Sequence, residues 1–142
     1  MAQHKISGND VLLFIGDDGV TYDTVICLTS NGVTRAINSI DAATKCGPDT
    51  LPGNISNGVS FEGQVMLDPD GGYAGIDILD DYWRNKTTIY WKIGPVSPVT
   101  GDITYSGTGF ISQLDETAAQ DSPTTFSGAI SVYGTMAKTV TA

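Results

Sequence analysis

Histidine occurs once and cysteine twice in this sequence, and lysine and arginine together number only seven. Each scarcity removes a class of chemistry. The single histidine, His4, precedes the first strand-like segment, so serine and cysteine nucleophiles have no positioned base and a hydrolase triad is excluded. Cys27 and Cys46 make neither a CxxC pair nor a metal-ligand spacing; both read as ordinary thiols, Cys27 in an apolar strand and Cys46 in a loop. Seven cations against sixteen acids give a formal net charge of −9. Such a chain lacks the Lys and Arg whose counterion release drives tight binding to phosphate backbones.

Long hydrophobic runs are also missing. The apolar stretch 11–15 is flanked by Asp10 and Asp17 and is far shorter than a signal-peptide core or the roughly 20 residues of a spanning helix. The expectation is a soluble protein made in the cytoplasm, without a membrane partner. No glycine-rich phosphate loop joins a strand to a helix. Asp68-Pro69-Asp70-Gly71 lacks the closing glutamate of a calcium loop and reads as a helix entry capped by Asp68 or Asp70. The acid pairs Asp17-Asp18, Asp80-Asp81 and Asp115-Glu116 are adjacent, whereas glycosidase carboxylates oppose each other across a cleft. Without a signal peptide the sequons at Asn54 and Asn85 read as chance matches. Trp83 and Trp91 read as helix-on-sheet packing, not as a sugar platform. The reading is therefore not an enzyme, with no catalytic, metal or cofactor-binding residue.

What is present is strand and turn chemistry. At 142 residues the chain suits a single domain spanning 1–142 with one core. Residues 11–15 predict a strand covered on both faces, with a turn at 16–19 and a β-branched strand over 21–28. Asn31-Gly32 predicts a tight hairpin turn into a third strand at 33–40. Residues 41–58, with Gly47-Pro48 and Pro52-Gly53, read as a long loop. Val59, Phe61, Gly63, Val65 and Leu67 then alternate with polar neighbours as a half-buried strand. Tyr73, Ile76, Leu79 and Trp83 recur at helical spacing and predict one amphipathic helix over 73–85.

Ile89, Trp91 and Ile93 predict a further inward-facing strand, ended by Pro95 and Pro98. Ile103 and Tyr105 occupy odd positions but Phe110 and Leu114 even ones, which predicts a β-bulge at 107–109. Phe126, Gly128, Ile130 and Val132 predict a last long strand. About seven short strands with one helix indicate a mainly β fold, a β-sandwich or partly open barrel with a flanking helix. Such folds leave open strand edges, which another copy of the chain can cover.

The order of these elements resembles the phage major tail protein family, which builds the tail tubes of long-tailed phages and gene transfer agents. The likeness opens at Ser7-Gly8-Asn9-Asp10-Val11-Leu12-Leu13. It continues through Ile40-Asp41-Ala42-Ala43-Thr44-Lys45, Leu51-Pro52-Gly53 and Val59-Ser60-Phe61-Glu62-Gly63. It closes on Gly107-Thr108-Gly109-Phe110-Ile111-Ser112 and Thr125-Phe126-Ser127-Gly128-Ala129-Ile130. The resemblance implies a structural virion protein with the tail-tube fold that self-assembles into stacked hexameric rings, with 1–9 as an N-terminal arm and 41–58 as an inter-subunit loop. Lys45, Cys46, Asp49, Leu51, Pro52, Asn54 and Ile55 are then the expected contact residues. Tail terminator, tape measure and distal tail proteins are the implied partners, and DNA would pass through an acidic lumen without specific binding. A tube protein of a contractile injection device and a carbohydrate-binding β-sandwich are the alternatives. The lectin reading calls for a signal peptide and an exposed aromatic cluster, neither of which is evident.

Overall fold

The computed structural model describes residues 5, 7–25, 28–41, 47, 49–65, 67 and 73–142. Among them are nine strands and one α-helix. β1 (Val11–Gly16) and β2 (Asp23–Val25) are followed by two long strands, β3 (Leu28–Asp41) and β4 (Thr50–Gln64). A short β5 (Tyr73–Ala74) leads into α1 (Ile76–Arg84), and β6 (Ile89–Pro95), β7 (Ile103–Thr117), β8 (Thr125–Val132) and β9 (Ala137–Val140) complete the chain. The strands form one open sheet in the order β3-β4-β8-β7-β6-β1-β2-β5, with β9 added on β7.

β7 organises this sheet because it is long enough to serve two neighbours on one side. Its residues 105–109 pair with β6. On the opposite edge 103–106 pair with β9 and 109–117 with β8. The sheet curls until β3 approaches β1, where Asn31 Nδ2 donates to the Val11 carbonyl at 3.3 Å. This is the expected mainly β, partly open barrel.

Alternation decides the core. Val59 and Phe61, Ile89, Trp91 and Ile93, and Phe126 and Ile130 are all buried on one face of their strands. Ile76 and Leu79 of α1 join them, with Ile78 and Tyr82 packed alongside. Removing such side chains from water supplies the main stabilising term, about 1.5–3 kcal/mol for each large one.

Several expectations are corrected. Asn31-Gly32 is not a hairpin turn: both residues lie inside β3, paired with Phe61 and Ser60. A long ladder outweighs a two-residue turn preference. The supposed loop 41–58 is strand from Thr50 onward, with Asp41 opposite Thr50 and Ile40 opposite Leu51; proline and glycine are tolerated there because the strand pairs β3 in a ribbon. The bulge predicted at 107–109 falls instead between Ile111 and Gln113, while Gly107 and Gly109 pair regularly with Trp91 and Ile89. The predicted reversal of facing does occur, so Ile111 is buried and Leu114 packs on the core. Phe110, however, points outward against Tyr133, ring centroids 5.6 Å apart.

The helix is shorter than expected and begins at Ile76, with Gly75 at its N-cap and no side-chain cap. Asp68 and Asp70, the expected caps, lie outside the described residues. Trp83 and Leu67 do not join the core; they are 47% and 76% exposed. Helical periodicity measured from Tyr73 misplaces the apolar stripe, because Tyr73 is a strand residue. His4 and Cys27 also lie outside the described residues, as does most of the expected N-terminal arm; Ser7 to Asp10 form a turn in which Asp10 N donates to Ser7 O at 3.0 Å.

Candidate assembly interface

The feature that distinguishes this molecule is the outer half of the β3–β4 hairpin. β8 pairs with β4 only as far as Gly58, and beyond that point β3 and β4 continue together to Asp41 and Thr50. From there outward the two strands are a ribbon with no further strand beside them among the described residues. Ile37 lies opposite Ile55 and Ile40 opposite Leu51. These four aliphatic side chains remain 57%, 53%, 52% and 51% exposed. A two-stranded ribbon is marginal in water by itself, and completing the burial of each half-exposed side chain is worth about 1 kcal/mol.

At the base of this arm lies an apolar groove of about 500 Å³. Ile37, Ile55, Met136 and Tyr105 line it, together with Arg35 and Lys138. Arg35 is fixed on Tyr105: its Nη1 donates to the tyrosine hydroxyl at 2.9 Å and its guanidinium carbon is 4.9 Å from the ring centroid. Asn57 ties the arm to the segment before β9. Its Nδ2 donates to Gly134 O at 2.8 Å, and its Oδ1 accepts from Met136 N at 2.9 Å.

Of the contact residues expected from sequence, Leu51, Pro52, Asn54 and Ile55 are exposed on β4 within the arm. Asp49 is exposed just before it and accepts from Thr50 N at 2.8 Å. Lys45 and Cys46 lie outside the described residues. Sequence reasoning missed Ile37 and Ile40, which complete the apolar ribbon. Their three-residue spacing gives no strand alternation, since a register shift falls between Ile37 and Ser39.

The outward face of β3, β4, β8 and β7 has a different character. Glu62 lies opposite Ser127, and Ser127 opposite Asp115. Ser30, Ser60 and Gln113 share this face around a shallow depression. Among the described residues of these four strands the one cation is Arg35, which is turned to Tyr105 on the opposite face. The surface is rich in short hydroxyl side chains and carries acids without cations.

A further group of acids, Asp17, Asp18, Asp23, Asp77, Asp80 and Asp81, lies on α1 and around the β1–β2 turn. Burial pushes the Tyr82 phenol above its ordinary pKa, and the neighbouring carboxylates of Asp17, Asp23 and Asp18 add to the shift. Asp77 and Asp81 are exposed on the helix, and Asp80 holds Arg84 at 3.1 Å. Lys92 lies between two aromatic rings, 5.0 Å from the Phe14 centroid and 4.7 Å from that of Tyr22. Among the described residues no group of three or more His, Cys, Asp or Glu side chains is placed to hold a metal, and no helix is long and apolar enough to cross a membrane.

The arrangement is thus suited to contact between proteins. Solved structures share the fold at low sequence identity. The SPP1 tail tube matches with a TM-score of 0.78 at 17% identity, over 96% of this chain and 80% of that one. A chain of the native gene transfer agent virion matches at 0.73 and 15%, over 96% of this chain and all (100%) of that one. The sheath/tube terminator of an extracellular contractile injection system matches at 0.70 and 13%, over 99% and 100% of the two chains. No curated protein matches the chain in sequence. Residues 5–138 match the phage tail tube proteins, and the chain belongs to that family.

Proposed function

We propose that this protein polymerises into stacked hexameric rings that form the tube of a phage tail, a conduit through which DNA is delivered. The observation that carries the reading is the β3–β4 ribbon, whose Ile37, Ile40, Leu51 and Ile55 stay half exposed among the described residues. Neighbouring subunits supply that cover, with Lys45, Cys46, Asp49, Leu51, Pro52, Asn54 and Ile55 among the contacts. The C6 symmetry of the gene transfer agent tail, similar at a TM-score of 0.72, supports six subunits per ring.

The hydroxyl-rich face of β3, β4, β8 and β7 lines the lumen. Glu62 and Asp115 supply its charge, and the absence of Lys and Arg from that face, among the described residues, lets a polyanion slide without counterion-release binding. The acids near α1 belong to the outer side, so the lumen is less acidic than the net charge implies. The protein has no catalysis of its own. It is made and assembled in the host cytoplasm and meets tail terminator, tape measure and distal tail proteins in the finished virion.

The test is negative-stain microscopy of the purified chain at high concentration beside a variant in which residues 38–54 are replaced by Asn-Gly. Ile37 and Ile55 already face each other, so a two-residue turn can close the shortened hairpin. Hollow tubes from the parent chain and a folded monomer from the variant are expected. Tube growth by the variant would show that the arm is not a contact element.

A further inference from the structure

The groove at the base of the arm is chemically specific. Ile37, Ile55 and Met136 line it together with Arg35 and Lys138, two of only seven Lys and Arg residues in the protein. Neither cation is in an ion pair with a described carboxylate; among the described residues the ion pair is Arg84–Asp80. Such a slot selects an apolar side chain carried next to carboxylates.

The chain itself presents that chemistry at the β1–β2 turn, Asp17-Asp18-Gly19-Val20. Val20 is 84% exposed, more than any other large hydrophobic described. The turn that displays it is ordered: Asp18 Oδ1 accepts from Val20 N at 2.9 Å and from Thr21 N at 2.8 Å. Gly19, at φ +75°, lies so close to Tyr90 that a Cβ would come within 3.2 Å of its ring. A knob already fixed in shape loses little freedom when it docks.

We infer that the Val20 turn of one copy seats in the Ile37–Ile55–Met136 groove of a second copy, with Asp17 and Asp18 facing Lys138 and Arg35. This contact rests on the assembly reading above and names the surfaces it uses. The knob is carried between β1 and β2 and the groove by β3, β4, β7 and the segment leading into β9. The contact is therefore heterologous. It passes from copy to copy around a ring or along a tube and does not end in a two-fold dimer.

The experiment compares polymerisation of full-length Lys138→Glu, Asp17→Lys and the double variant by sedimentation and negative-stain microscopy. All these side chains are exposed, and unchanged monomer melting temperatures verify the fold. Each single reversal places like charges across the contact and is expected to raise the critical concentration about tenfold. Combining them restores opposite charges and is expected to return it to within about threefold of the parent. Val20→Ser, which removes the knob without touching charge, is expected to weaken assembly as well. Failure of the double variant to recover, or parental assembly by Val20→Ser, overturns the contact while leaving the tube reading intact. A parent chain that stays monomeric at every concentration overturns both.

Discussion

Gly128 lies in the middle of β8, opposite Phe61 of β4 and Leu114 of β7, and the Phe61 ring occupies the space that a side chain there would need. A Cβ added at this position would come 2.7 Å from Phe61 Cζ, 3.0 Å from Phe61 Cε2 and 2.8 Å from the Gln113 carbonyl oxygen. Carbon atoms in contact prefer about 3.5–4.0 Å, so the deficit at the ring is about 0.8 Å. Phe61 has little room to yield, since it is 2% exposed and its centroid is 6.1 Å from that of Phe126. The Gln113 carbonyl belongs to the bulged part of β7 and moves only if the β7–β8 register does.

Gly128→Ala is therefore expected to destabilise the monomer by about 2–3 kcal/mol, in the range of overpacked cores. At about 2–4 °C per kcal/mol for a domain of this size, that lowers Tm by about 4–12 °C. Gly32→Ala is the control: it lies within β3, and its nearest contact would be Ser60 Oγ at an ordinary 3.8 Å. Combining Gly128→Ala with Phe61→Leu removes the ring atoms that collide, so the two costs should fall short of additivity by about 1 kcal/mol. Circular dichroism melts of the parent, Gly128→Ala, Gly32→Ala, Phe61→Leu and the double variant decide the matter. A Gly128→Ala chain melting together with Gly32→Ala would refute the proposed ring-on-glycine packing.

Two predictions concern pH. Burial, reinforced by Asp17, Asp23 and Asp18, raises the Tyr82 pKa in the folded state; the associated stability is complete below the unfolded value of about 10 and is lost as pH rises through the folded value. Tyr82→Phe should flatten the alkaline decline of the urea midpoint, and an unchanged slope would rule this out. The Asp18 carboxyl is held below its usual range by the backbone N–H groups of Val20 and Thr21. Its contribution is present above the unfolded pKa of about 3.9 and disappears as pH falls through the folded value. A carboxyl-carbon NMR titration should give Asp18 a midpoint below that unfolded value, and a midpoint at or above it would contradict the turn geometry.

The inward faces of β4, β6 and β8 were legible in the sequence because strand alternation is a local signal. A strand that buries one face must place every second residue there. Val59, Phe61, Ile89, Trp91, Ile93, Phe126 and Ile130 follow that rule and are all buried. The parity switch along β7 was legible too, but its position was not. Gly107 and Gly109 satisfy regular pairing, and the extra residue is accommodated where β7 has passed from β6 to β8. Asn31-Gly32 misled for a related reason: whether a turn-prone pair turns depends on the strand alongside it.

Four of the exposed contact candidates, Leu51, Pro52, Asn54 and Ile55, were already visible as a segment, though as a loop. Proline and glycine report local backbone preference and carry no information about a partner strand elsewhere in the chain. Ile37 and Ile40 become an interface only when β3 sets them opposite Ile55 and Leu51. Arg35, Tyr105, Met136 and Lys138 come together only after β7, β3 and the chain end are assembled.

The sequence by itself determined a β-rich, acidic chain and the likeness to tail tube proteins. Those properties follow from composition and from patterns a few residues long. Only the tertiary structure decided that six acids lie on α1 and around the β1–β2 turn, that a hydroxyl-rich face runs across β3, β4, β8 and β7, and that Thr50 to Gly58 is half of a ribbon. The physical reason is that each of these depends on which strands pair and in what register, and pairing is settled by contacts between residues far apart in the chain.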